Sequence, residues 1–151
     1  MIYVEEILKK YKVEDNNGRV FDPIRNKPVP ATPEEFVRQR VIQYLLNEMH
    51  VPGNKIVVEK ALSSFGLAGN SKRIDIGILG EDNTLNTIIE CKAYGLQFSE
   101  APFLQAIDYV EALKVKNYFV ADGVYFYCFT YDTQNIQFVK LEKMPTYEEM
   151  C

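Results

Sequence analysis

From Thr32 onward the apolar positions follow two rhythms, first a helical one and then a two-residue one. In Thr32-Pro33-Glu34-Glu35 a threonine stands at an N-cap, a proline at the first helical position and a glutamate three residues after the cap. This capping-box pattern opens a helix. Val37, Val41, Tyr44 and Leu45 follow at helical spacing, and Val51-Pro52-Gly53 stops the run. Residues 55–62, 73–79 and 87–93 are then rich in isoleucine and valine and are separated by glycine- and asparagine-containing turns. They predict three strands, close enough for antiparallel hairpins. Ser99 can cap a second helix over 100–114, with Pro102 in its first turn and a stripe of Phe103, Ala106, Ile107, Val110 and Leu113. Strands over 118–121 and 124–130 meet at Asp122-Gly123, a hairpin turn signal, and 136–141 adds another. Upstream, the Asn16-Asn17-Gly18 turn and Pro23, Pro28 and Pro30 break any long element. The expected organisation is an N-terminal segment (1–30), one mixed α/β (α+β) domain (31–141) and a C-terminal tail (142–151).

Composition narrows the chemistry. The 151 residues make one domain, 47% apolar and 25% charged, which should fold alone. Seventeen lysines and arginines against 21 acidic residues give a net charge of −4, unlike a nucleic-acid coat protein. A single histidine, His50, excludes a multi-histidine metal cage. The cysteines Cys91, Cys128 and Cys151 form no C-x-x-C pair, so a reducing cytoplasm is the expected setting. No apolar run nears the roughly 18 residues of a membrane span, and Met1-Ile2-Tyr3-Val4-Glu5-Glu6 does not read as a leader. There is no G-x-x-x-x-G-K-[ST] loop for ATP and no helix–turn–helix pattern for reading bases.

Two neighbouring predicted strands each carry an acid among apolar residues: Ile74-Asp75-Ile76 and Ile88-Ile89-Glu90-Cys91-Lys92. An ionised carboxylate in such a run is costly unless paired or bound to metal. Alternation puts Glu90 and Lys92 on one face, with Cys91 on the other, and a hairpin brings Asp75 alongside. Two carboxylates and a lysine suit Mg²⁺-assisted phosphodiester hydrolysis; a buried ion pair that fixes strand register is the structural alternative. A glycosidase-like acid/base pair has the right carboxylate count but leaves Lys92 idle.

The spacing Asp75, fourteen residues, then Glu90-Cys91-Lys92 resembles the metal-binding signature of the PD-(D/E)xK nuclease superfamily. Its context is more specific: Phe21-Asp22-Pro23-Ile24-Arg25, Thr32-Pro33-Glu34-Glu35-Phe36-Val37-Arg38-Gln39, Lys72-Arg73-Ile74-Asp75-Ile76 and Gln105-Ala106-Ile107-Asp108-Tyr109. Together, over about residues 19–130, these resemble the N-terminal nuclease domain of type I restriction enzyme R subunits. The resemblance implies a restriction-endonuclease-like core, a central mixed sheet flanked by helices in the order α-β-β-β-α-β plus extra strands. It implies that Asp75, Glu90 and the backbone carbonyl of Cys91 ligate Mg²⁺ (or Mn²⁺), that Lys92 is the catalytic lysine, and that Gln105 and Tyr109 form a Q-x-x-x-Y element on one helical face. DNA is the implied substrate, with other restriction–modification subunits as partners and a homodimer as one arrangement.

Helix one of this superfamily often adds a glutamate, here Glu34 or Glu35. Glu35 is explained by the capping box, and Glu34 shares a stripe with Val37, Arg38 and Val41 that should face the sheet. Arg38 belongs to the family pattern as well; it could contact DNA or pair with Glu34 across one turn. Glu59 is either an edge-strand charge or a partner of the site. The aromatics Tyr125, Phe126, Tyr127 and Phe129 read as core rather than as a stacking platform. Lys55, Lys60, Lys72 and Arg73 face only Glu59 over residues 53–73, so Lys60, Lys72 and Arg73 are the expected phosphate contacts. The leading expectation is a Mg²⁺-dependent DNA endonuclease domain; the alternative is a catalytically silent DNA-binding or assembly module.

Overall fold

The computed structural model describes residues 1–95 and 101–151, apart from the side chains of Ala101, Pro102, Phe103 and Gln105. The predicted Ser99 cap and the Phe103 end of the second helix stripe therefore lie outside the described residues. The predicted core order is present: helix α2 (Pro33–Asn47), strands β4 (Ile56–Ala61), β5 (Arg73–Leu79) and β6 (Leu85–Cys91), helix α3 (Ala101–Ala112), then β7 (Asn117–Ala121), β8 (Tyr125–Asp132) and β9 (Gln137–Lys140). Thr32 caps α2 by accepting the Glu35 N–H at 3.1 Å. The box is only half made, because the Glu35 side chain points elsewhere.

The first thirty residues hold more regular structure than their prolines suggest. β1 (Ile2–Tyr3) joins the main sheet beside β8, α1 (Glu5–Leu8) follows, and β2 (Arg19–Asp22) pairs with β3 (Lys27–Pro30) in a separate hairpin. Prolines at 28 and 30 are tolerated because this two-stranded ribbon is all edge. At the other end α4 (Tyr147–Met150) is held by a complete Thr146–Glu149 capping box and buries Met150 in the core.

The seven-stranded sheet runs β1-β8-β7-β6-β5-β4, with β9 against β8. β4, β5 and β6 are antiparallel neighbours, β6 and β7 are parallel across the α3 crossover, and β7 and β8 form a hairpin at Asp122-Gly123. Gly123 takes φ +87° while Asp122 Oδ1 accepts the Val124 and Tyr125 N–H groups. Alternation splits the core in two. Ile89, Cys91, Phe119, Ala121 and Phe126 pack under α2 with Val37, Val41, Ile42 and Leu45. Ile88, Tyr118, Val120, Tyr127 and Phe129 pack with Ala106 and Val110 of α3. Each such large apolar side chain contributes about 1.5–3 kcal/mol by leaving water, and the aromatic run of β8 is core, as expected.

The alternation breaks at the Ile74 end of β5. Ile74 and Ile76 are two residues apart, yet Ile74 belongs to the α3 side and Ile76 to the α2 side. Pairing of β5 with β6 begins only at Ile76↔Ile89, and the neighbouring edge strand turns at Glu59, whose φ is +55°. A non-glycine residue in this region stores about 1–3 kcal/mol, and such strain concentrates at functional sites. The sheet opens between Asp75 and Glu90.

Gly77, two residues along β5, sits where a Cβ would lie 2.8–2.9 Å from Leu85 Cδ1, Val57 Cγ2 and Ile74 Cδ1. Val57 is stiff and all three would have to move. Gly77→Ala is expected to lower stability by about 1–3 kcal/mol, read as a lower urea midpoint with an unchanged slope; an unchanged midpoint would contradict this packing.

Candidate active site

The opening leaves the Cys91 N–H without a β5 carbonyl. Asp75 supplies the acceptor, with Oδ2 2.7 Å from the Cys91 nitrogen. Glu90 projects on the α3 side of β6, and Lys92, just past the strand, places Nζ 2.7 Å from Glu90 Oε1. The other Glu90 oxygen accepts the hydroxyl of Tyr118, which also interacts with the Tyr109 hydroxyl. Asp75, Glu90, Tyr109, Lys72, Arg73, Ile74 and Ile88 line a cleft of about 80 Å³. Lys72 lies over the Tyr109 ring at 5.2 Å.

On the α2 side a second network meets Asp75. Arg38 is 7% exposed, and its guanidinium lies 2.7 Å from Glu59 Oε1, 3.2 Å from Glu35 Oε2 and 3.9 Å from Asp75 Oδ1. The 3.2 Å contact is an ion pair without hydrogen-bond alignment, so Arg38 Nε has charge compensation but no bonded acceptor. Glu35 Oε1 accepts from Arg25 at 2.7 Å, and Oε2 accepts from Gln39 at 3.0 Å. Arg25 is in turn fixed by fully buried Asp22, which also caps the β2–β3 turn by accepting the Ile24 and Arg25 N–H groups. Charges alternate from the N-terminal hairpin to the open end of β5.

These surroundings tune the acids in opposite directions. Burial pushes the Asp75 carboxyl above its usual range, aided by Glu90 and Glu59 and opposed by the Cys91 N–H and Arg38. Burial works the same way on Glu90, but hydrogen bonds from Lys92 and Tyr118 outweigh it and hold Glu90 below the usual range. Burial, then Glu90, pushes Tyr109 up to about 12, so its hydroxyl keeps its proton at neutral pH. The Cys91 thiol is buried and pushed up, which makes it a core group.

The structure thus brings Asp75, Glu90, Lys92 and Tyr109 together, with Lys72 and Arg73 exposed at the rim and Lys60 exposed on the adjoining edge strand. The Gln105 side chain lies outside the described residues. Glu34, expected on the sheet-facing stripe, is exposed and Glu35 is buried, because the inward face of α2 carries the polar residues Glu35, Arg38 and Gln39 beside its apolar stripe. Arg38 pairs with Glu35 rather than Glu34 and, being buried among carboxylates, is not offered to DNA. Glu59 is both an edge-strand residue and a partner of the site. Sequence reasoning missed Tyr118 and gave Asp22 and Arg25 no role. Tyr118 pairs in register with Ile88, two residues before Glu90 on the same face, so the parallel register would have revealed it. A larger cavity of about 770 Å³ near Val110, Val115, Tyr131 and Phe138 carries no acidic pair among its lining residues.

The donors suit a hard cation. Mg²⁺ binds through one or two carboxylates and keeps several waters, and among the described residues no three His, Cys, Asp or Glu side chains converge to cage an ion. Among the described residues, the ion pair of Asp75 Oδ1 is the 3.9 Å contact with Arg38.

The family model for the type I restriction enzyme R protein N terminus (HSDR_N) matches residues 33–145, and the chain belongs to that family. A solved fragment assigned to the HsdR subunit of a type I restriction enzyme from Vibrio vulnificus YJ016 has a similar fold, with a TM-score of 0.51 and 21% identity. The match covers 75% of this chain and 24% of that one, so the chain spans about a quarter of that fragment. No curated protein matches. Among the described residues no helix is long and apolar enough to cross a membrane.

The raised Asp75 carboxyl gives a stability prediction. Its charged form is disfavoured in the fold, so it subtracts stability above its folded pKa and stops doing so once protonated. Asparagine keeps an oxygen for the Cys91 N–H and carries no charge. In EDTA-containing buffer Asp75→Asn is expected to melt higher than wild type at pH 7, the gain vanishing in acid; a lower melting temperature at pH 7 would contradict this assignment.

Proposed function

We propose that the domain hydrolyses DNA phosphodiester bonds as the endonuclease part of a restriction system, with Mg²⁺, or Mn²⁺ in its place, held by Asp75, Glu90 and the Cys91 carbonyl. The observation that carries this reading is that Asp75 and Glu90 line one cleft with Lys72 and Arg73, and Lys92 pairs with Glu90, in a chain of the R-protein family. When bound, the ion would neutralise phosphate charge and make a coordinated water more acidic.

The chain's own residues have separable tasks. The Cys91 N–H fixes one oxygen of Asp75, and Lys92 and Tyr118 fix both oxygens of Glu90, so neither carboxylate has to reorganise on binding. Lys92 presents its ammonium where negative charge grows on the phosphoryl oxygens as water adds to phosphorus and the ester oxygen leaves. Lys72 and Arg73 attract the backbone phosphates, with a contribution that falls as salt rises. Tyr109 steadies Tyr118 and, through it, Glu90.

The alternative of a silent DNA-binding or assembly module draws on one observation, the lack of three converging ligand side chains among the described residues. Purified protein incubated with plasmid and Mg²⁺ decides between them. The nuclease reading predicts nicking that falls by at least about a hundredfold in Asp75→Ala and in Lys92→Ala. Cleavage surviving both substitutions contradicts it; absence of cleavage together with absence of Mn²⁺ binding supports the silent module.

A further inference from the structure

We propose that Arg38 is a positioning residue for Asp75: by gripping Glu59 and Asp75 together at a break in the β4–β5 ladder, it keeps the Asp75 carboxylate turned toward Cys91. The inference deepens the metal-dependent reading, on which it rests for the statement that this carboxylate takes the ion.

β4 and β5 keep one register on both sides of the break. Val58 pairs with Ile76 and Lys60 with Ile74, but Glu59 and Asp75, which stand opposite each other between them, do not pair. Glu59 has a left-handed backbone at this point, with φ +55°. A residue other than glycine keeps such a conformation only where its surroundings hold it. Arg38 reaches both sides of the gap. Its Nη1 lies 2.7 Å from Glu59 Oε1 and 3.5 Å from the Asp75 backbone oxygen, and its Nη2 lies 3.9 Å from Asp75 Oδ1. A planar guanidinium presents its donors in a fixed fork, so one side chain can span the two strands where they do not pair. On the other side of β5 the Asp75 carboxylate spans the gap to β6, accepting the Cys91 N–H at 2.7 Å.

Burial sets the direction of control. Arg38 is 7% exposed and lies on the same inward face of α2 as buried Val37 and Val41. Its Nε side meets Glu35, whose oxygens are held by Arg25 at 2.7 Å and Gln39 at 3.0 Å. Glu59 belongs to an edge strand, and its side chain is 30% exposed. The buried group, held from several sides, therefore positions the freer one. Removing Arg38 would leave the Glu59 and Asp75 carboxylates opposite each other without the cation they share, and their repulsion would add to the lost contacts.

Amide exchange and Mn²⁺ titration of the full chain test this, with circular dichroism establishing that each variant folds. In metal-free buffer Arg38→Gln should lower the protection of the Cys91 N–H by at least about tenfold, the loss of one hydrogen bond to a charged acceptor, while Ile89 within the β5–β6 ladder keeps its own. Glu59→Ala should do the same, and Glu59→Gln, which keeps an oxygen for Arg38, should retain the Cys91 protection. In calorimetry the Mn²⁺ Kd should rise by about 10–100-fold in Arg38→Gln and in Glu59→Ala, the range of a change outside the ligands themselves. Cys91 protection unchanged in both variants would overturn the proposal, and so would a Mn²⁺ Kd equal to that of an ion-binding wild type. Loss of the protection with no Mn²⁺ binding even to the wild type would support the role of Arg38 and overturn the metal-dependent reading instead. If Arg38→Gln fails to fold, Glu59→Ala and Glu59→Gln decide the question from the partly exposed edge strand.

Discussion

One backbone N–H organises this domain. At Cys91 the β5–β6 ladder has already ended, and a buried amide there must find an acceptor or lose the free energy of a hydrogen bond to water. Asp75 provides it, at 2.7 Å. That single bond places a carboxylate between two strands, beside Glu90, in a setting that disfavours its charge. The irregularities nearby follow: Ile74 and Ile76 point to opposite faces, and Glu59 on the edge strand adopts a left-handed backbone. The fold carries this strain at one end of an otherwise well-packed sheet.

Two networks then meet at Asp75 from opposite faces. On the α2 side, Asp22, Arg25, Glu35, Arg38 and Glu59 form an alternating chain that ties the N-terminal hairpin to the sheet. On the α3 side, Lys92, Glu90, Tyr118 and Tyr109 form a more open one that reaches the exposed Lys72 and Arg73. The first is compensated internally. The second holds Glu90 below its usual carboxylate range while burial raises Asp75, so the two acids of the cleft are tuned in opposite directions.

Much of this was legible in the residues. The Thr32 cap, the three strands after helix α2 and the Asp122-Gly123 hairpin are local signals, and tertiary structure left them intact. Asp75, Glu90 and Lys92 could be brought together because acids in apolar strands demand a reason. What stayed hidden depends on geometry that periodicity does not carry. Helical spacing singled out the stripe of Val37, Arg38 and Val41, but the buried arc of α2 is wider and includes Glu35 and Gln39, whose polarity reads as a solvent face until their partners are known. Tyr118 reads as core because its ring is core; only its hydroxyl reaches Glu90, through a parallel register set by the α3 crossover. Asp22 and Arg25 lie in a turn far along the chain from the acids they help to order.

Amide exchange at Cys91 is the most direct measurement of the bond on which the site depends. Hydrogen exchange followed by NMR should show a slowly exchanging Cys91 N–H in the wild type and in Asp75→Asn. In Asp75→Ala that protection should be lost while Ile89, which lies within the β5–β6 ladder, keeps its own. A Cys91 amide equally protected in Asp75→Ala would mean that another acceptor holds the strand, and the carboxylate would lose its structural reason for standing where it does.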